Sequence, residues 1–90
     1  METNSGIAVR FSRHAMERAE ERGADVAALR RAISGLAPRL SLFTGYRVAL
    51  VRHGSPIPVI RPCSDCIEVI TVLAAGQQVI RSDTLPLTVR

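Results

Sequence analysis

Apolar and polar side chains alternate along residues 7–11 (I-A-V-R-F), the period of a half-buried strand with Ile7, Val9 and Phe11 inward and Arg10 outward. Ser12 follows as a helix N-cap, its hydroxyl suited to accept from a free amide of the first turn. The spacing then turns helical through R-H-A-M-E-R-A-E-E-R and stops at Gly23, the residue type that best tolerates the left-handed position after a helix. Ala15, Met16 and Ala19 mark the buried side, and two of these three are alanine, so this helix must approach its neighbour closely. Asp25 caps a second helix with Val26, Leu29, Ala32 and Ile33 as its apolar stripe and an end at Ser34, before Gly35. Arg30 and Arg31 fall near its C-terminus, where positive charge complements the helix dipole.

Pro38 marks a break, and strands are expected beyond it. Residues 39–43 and 46–52 flank Thr44-Gly45, a plausible hairpin turn, and His53-Gly54-Ser55-Pro56 reads as a turn or loop. Pro56 and Pro58, which have no amide donor, exclude a central strand position nearby. Residues 67–73 (I-E-V-I-T-V-L) are the most β-prone stretch and, as an apolar edge strand, would be able to pair with a second chain. Ala75-Gly76 turns the chain into a last strand over residues 77–81. The expected fold is α+β, in the order β-α-α-β-β-β-β, with two N-terminal helices on one face of a curled antiparallel sheet. Residues 1–6 read as a flexible leader and 7–90 as one domain.

Composition narrows the partners. The net charge is +4, and all twelve basic residues are arginine. Arginine keeps its charge and presents a planar fork that matches phosphate oxygens, which suits a polyanion. A GC-rich coding sequence is the first account of the absence of lysine, though it does not explain the net charge. Phe11, Phe43 and Tyr46 are the only aromatic residues, too few for a base-stacking platform, so RNA contacts would be made mainly to phosphates. No apolar run approaches the roughly 20 residues of a spanning helix and the first residues have no apolar signal core. A cytoplasmic protein with no membrane partner is therefore expected.

His14, Arg18 and Arg22 are spaced i, i+4, i+8 and so form one row along the first helix, with Glu21 beside it. Such a row suits a phosphodiester, the arginines holding phosphate and the imidazole moving a proton. By spacing alone it reads first as a solvated face laced by Glu17–Arg13 and Glu21–Arg18 pairs, each contributing about 0.3–0.5 kcal/mol.

The stretch F-S-R-H-A-M-E-R-A-E-E-R-G-A resembles the signature of the DUF4258 family, small bacterial and phage-associated proteins with a strand followed by Ser-x-His-Ala-x-x-Arg-x-x-x-Arg-Gly. The likeness continues more weakly through the second helix and E-V-I-T-V-L, while the segment with Pro56, Pro58, Pro62 and the cysteines departs from the usual short hairpin. The family is similar to the RelE/ParE toxin superfamily, whose RelE branch cuts messenger RNA without a metal. The resemblance implies a RelE/ParE-like fold and a toxin-like RNA-directed protein, a metal-independent endoribonuclease in its active form. RNA or the ribosome and a small antitoxin are the implied partners. His14, Arg18 and Arg22 carry over as motif residues, and Arg81 by position as a phosphate-binding arginine. In that chemistry His14 is the base toward the ribose 2′-hydroxyl, and the arginines stabilise the crowded phosphate. An acid is not evident unless His53 joins the site. The alternative is a non-enzymatic binding or adaptor protein using the same basic face.

Cys63 and Cys66 (P-C-S-D-C) read first as free thiols in a loop. They also make half of a tetrahedral zinc site that His53, His14 or Asp65 would have to complete, which makes zinc the only metal or cofactor in view. A redox C-x-x-C ranks third, since such a motif usually opens a helix and strand residues follow here. A lasting disulfide is not expected in the cytoplasm.

Overall fold

Alternation at the N-terminus produces strand β1, Ala8–Phe11, with Val9 buried and Ala8 and Arg10 exposed. This is a computed structural model, and it describes residues 8–77 and 83–89. Ser12 ends the strand and starts helix α1, Arg13–Glu21. Its hydroxyl accepts from the Ala15 amide at 3.0 Å and donates to the Ile70 carbonyl at 3.1 Å, so one side chain caps the helix and ties it to the sheet. Gly23, at φ +67°, ends α1 in a Schellman turn: its amide donates to Glu20 O and that of Ala24 to Ala19 O. Ala15 and Ala19 are fully buried, as close packing requires, whereas Met16 is 45% exposed and does not belong to the buried side.

Helix α2, Val26–Leu40, is capped by Asp25 and runs straight through Gly35 and Pro38. The expected end at Ser34 and the expected strand over residues 39–43 are both corrected: the chain stays helical to Leu40 and then makes one 3-10 turn, Ser41–Phe43. Burial is the physical reason. Ile33, Ala37 and Leu40 continue one helical stripe into the core, while Leu42 is left 81% exposed, the opposite of what a strand pairing Leu40 with Leu42 on one face would give. A helical Gly costs about 1 kcal/mol and an interior Pro about 3. Burying Leu40, with Leu36 half-buried beside it, contributes about as much, near 1.5–3 kcal/mol for each side chain fully covered. Arg30 is therefore mid-helix rather than at its end. Its guanidinium donates to the Val9 carbonyl and lies 5.0 Å above the Phe11 ring, fastening α2 to β1.

Among the described residues four further strands join the sheet: β2 Arg47–Val51, β3 Ile57–Pro62, β4 Cys66–Leu73 and β5 Thr84–Thr88. Their order is β1-β4-β3-β2-β5. The fold is α+β, but the sheet is mixed rather than antiparallel, because β1 pairs with β4 and β2 with β5 in parallel. The exclusion drawn from Pro56 and Pro58 is also corrected, since β3 is the central strand and contains Pro58 and Pro62. Both prolines lie outside its register with β2, Val48↔Ile60 and Ala49↔Val59, but inside its register with β4, as Pro58↔Val72 and Pro62↔Ile67, so proline is accommodated here within a paired central strand. Residues 67–73 form an interior strand, not an edge. The expected last strand over residues 77–81 lies almost wholly outside the described residues, and β5 follows later than expected.

Both helices cover one face of the sheet, where Val48, Ile60, Val69 and Val72 are fully buried with Ala15, Ala19, Ile33 and Leu40. The opposite face carries a smaller cluster made of strand residues, Ala49, Ile57 and Val59 with Val51 and Leu73. A bulge sets the boundary: Ile60 faces Val69 but Val59 faces Thr71, so Ile70 is the extra residue and β4 changes phase there. That extra residue is the one whose carbonyl receives the Ser12 hydroxyl.

Candidate functional site

Helix α1 presents His14 and Arg22 to solvent on the turns beside the buried alanines, with Arg18 between them. Positions four apart rise about 6 Å along a helix, so the row spans about 12 Å. Arg22 is the C-cap rather than a helical residue, yet its dihedrals, φ −87° and ψ 0°, keep it close to the helical path. The structure therefore brings His14, Arg18 and Arg22 onto one exposed surface. Arg81 lies outside the described residues.

The row is not purely cationic. Arg18 Nη1 donates to Glu21 Oε1 at 2.5 Å, and the two side chains remain 40% and 52% exposed. Between Arg13 and Arg22 the chain carries three arginines and three glutamates, so the formal charge of this stretch cancels. An exposed pair of this kind contributes about 0.5 kcal/mol, which a phosphate offering a bidentate contact outweighs. His53 sits exposed in the turn between β2 and β3, where the Ser55 amide bonds to Arg52 O at 3.2 Å and Gly54 adopts φ +75°.

The sheet carries a second charged row that the sequence reading missed. On the face away from the helices, Arg10 of β1 is in register with Glu68 of β4, and Glu68 with Arg61 of β3. Arg47 of β2 is one residue from the Val48↔Ile60 pair, which extends the row across a fourth strand, and it reaches Asp83 at 3.9 Å. The residues lie far apart in the chain, from Arg10 to Asp83, so no local spacing signals them; only strand order does.

Cys63 and Cys66 share this open face. The register Pro62↔Ile67 continues by one residue to Cys63 opposite Cys66, and the Cys63 amide donates to Cys66 O at 2.7 Å, closing a tight turn over Ser64-Asp65. Both thiols are free and half-buried. The Cys66 thiol is pushed above its ordinary pKa, first by its hydrogen bond with Cys63, then by burial and by the negative charge of Cys63 and Asp65, with Arg10 acting weakly the other way. Among the described residues no three His, Cys, Asp or Glu side chains are grouped to hold a metal, so neither His14 nor His53 stands as a third ligand beside the cysteines.

The clefts lie elsewhere. One is an apolar slot between α2 and the ends of β2 and β3, lined by Leu29, Ile33, Leu36, Leu50 and Pro58. Another runs between the end of α2 and β5, lined by Leu36, Arg39, Leu42, Phe43 and Leu87. Among the described residues no helix is long and apolar enough to cross a membrane. No protein-family model, no curated protein and no solved structure matches this chain.

Proposed function

We propose that this is a toxin-like, RNA-directed protein of RelE/ParE-like architecture that grips single-stranded RNA by its phosphates through Arg18 and Arg22, with His14 beside them. The observation that supports this reading is the placement of the three motif side chains along one edge of α1, His14 and Arg22 exposed and Arg18 partly so, while Ala15 and Ala19 hold the helix on the sheet. In an active form His14 takes the proton of the ribose 2′-hydroxyl and the arginines neutralise charge gathering on the phosphate. A small antitoxin is the corresponding protein partner, and the cytoplasm the corresponding compartment.

A second reading, a non-enzymatic binding protein, is favoured by the Arg18–Glu21 pair, which ties one of the motif arginines to a carboxylate. Two measurements separate the readings. Anisotropy of a labelled single-stranded RNA against salt is expected to give a log–log slope of about −1.4 for the two arginine–phosphate contacts, flattening in the Arg18→Ala, Arg22→Ala variant. Growth on induced expression is expected to stop with the natural chain and not with His14→Ala. Salt-dependent binding without growth arrest leaves the binding reading, and RNA binding that ignores salt and variant alike removes both.

A further inference from the structure

We infer that Cys63 and Cys66 form a built-in dithiol that closes reversibly into an intramolecular disulfide across the base of the β3–β4 turn. The two residues lie one step beyond the last register pair of the hairpin, Pro62↔Ile67, and are joined by the 2.7 Å bond from the Cys63 amide to Cys66 O. Directly opposed, hydrogen-bonded residues of an antiparallel pair have Cα atoms about 5.5 Å apart, inside the range of about 4.4–6.8 Å that a disulfide spans. Alternation places both side chains on the open face, since the neighbouring pair Pro62↔Ile67 points into the core and Arg61↔Glu68 points out with them. The Cys63 thiol makes a long contact of its own, to the Arg61 carbonyl at 3.7 Å, and both thiols are free. No other Cys is present in the chain to compete as partner. The inference is independent of the RNA reading.

The reaction with a small-molecule disulfide balances as two exchanges. The Cys63 thiolate attacks one sulfur of the oxidant, whose S–S bond breaks and releases one thiolate, leaving a mixed disulfide on Cys63. The Cys66 thiolate then attacks the Cys63 sulfur and expels the second small thiolate. Two protons leave the protein, the oxidant is reduced to two thiols, and the new bond joins Cys63 to Cys66. This is a latch, responsive to the redox state of its surroundings, and not a catalytic redox centre with an acidified thiol. When shut it covalently fixes the end of the hairpin that carries Arg61 and Glu68.

The test uses the whole reduced chain with oxidised glutathione, followed by mass spectrometry and thiol titration. Both thiols are expected to disappear together, with loss of two hydrogens, no retained glutathione and no dimer on a non-reducing gel. Cys63→Ser and Cys66→Ser each are expected to stop at a stable glutathione adduct. The equilibrium constant for closure is expected to be at least about tenfold larger in the folded chain than in urea, a difference of roughly 30 mV. Retained adducts or intermolecular dimers in the natural chain overturn the proposal. Equal closure in folded and unfolded chains overturns it too, because the fold then contributes nothing.

Discussion

The two faces of the sheet are made by the same strands and have opposite characters. On the helix-covered face the alternate residues Val48, Ile60, Val69 and Val72 are fully buried. On the other face their immediate neighbours include Arg47, Arg61 and Glu68, beside a small apolar cluster and the thiol pair. Period-two alternation therefore divides labour within single strands, with one set of positions holding the fold and the other free to carry charge and reactive sulfur. The difference should show in how substitutions partition between stability and binding.

The largest effect is expected on the covered face. Leu40→Ala removes a fully buried side chain at the point where α2 has already absorbed Gly35 and Pro38, and it should cost about 2–5 kcal/mol in urea denaturation. If burial holds the last turn of α2, this variant should also lose helical signal; a loss below about 1 kcal/mol would mean that the last turn is held by something else. Next comes the junction between the faces. Ser12→Ala removes both the helix cap and the bond to the bulge carbonyl, and is expected to cost about 1–2 kcal/mol, above a simple Gly replacement of a cap. The smallest effect should be at the surface of α1. Glu21→Gln frees Arg18 and should change stability by no more than about 0.5 kcal/mol while tightening RNA binding, so unchanged binding would count against Arg18 as a phosphate contact.

Local signals were easy to read where one residue type answers one local need. Ser12, Gly23 and Asp25 each sit where their side chain, or lack of one, satisfies a helix end, and their roles follow from sequence. The end of α2 was misread because Gly35 and Pro38 are local signals to stop, while the burial that overrides them depends on a sheet formed later in the chain. The central place of β3 was hidden in a similar way: proline forbids a ladder bond only where a neighbour needs it, and that depends on register. Within the candidate site the α1 row was legible because helical spacing fixes which residues share a side. The Arg10–Glu68–Arg61 row was not, since it requires β1 to lie beside β4. The cysteines were visible as a motif, but their cross-strand opposition depends on where the turn closes.

The placement of β1 has a consequence for how the chain reaches this fold. Ser12 bonds to Ile70, 58 residues away, and Val9 needs Ile67 as its neighbour. During synthesis β1, α1 and α2 emerge first, but the strand that completes their core comes much later. Such long-range parallel pairing closes a large loop before its contacts form, and folding rates fall as this mean separation grows. The β2–β3–β4 meander, with its short turns, is therefore the segment able to form first, and docking of the N-terminal strand and helices onto β4 is the slow step. Substitutions at Ser12 or Val9, whose contacts form as the N-terminal elements dock, should accordingly slow overall folding while leaving formation of the meander itself unchanged.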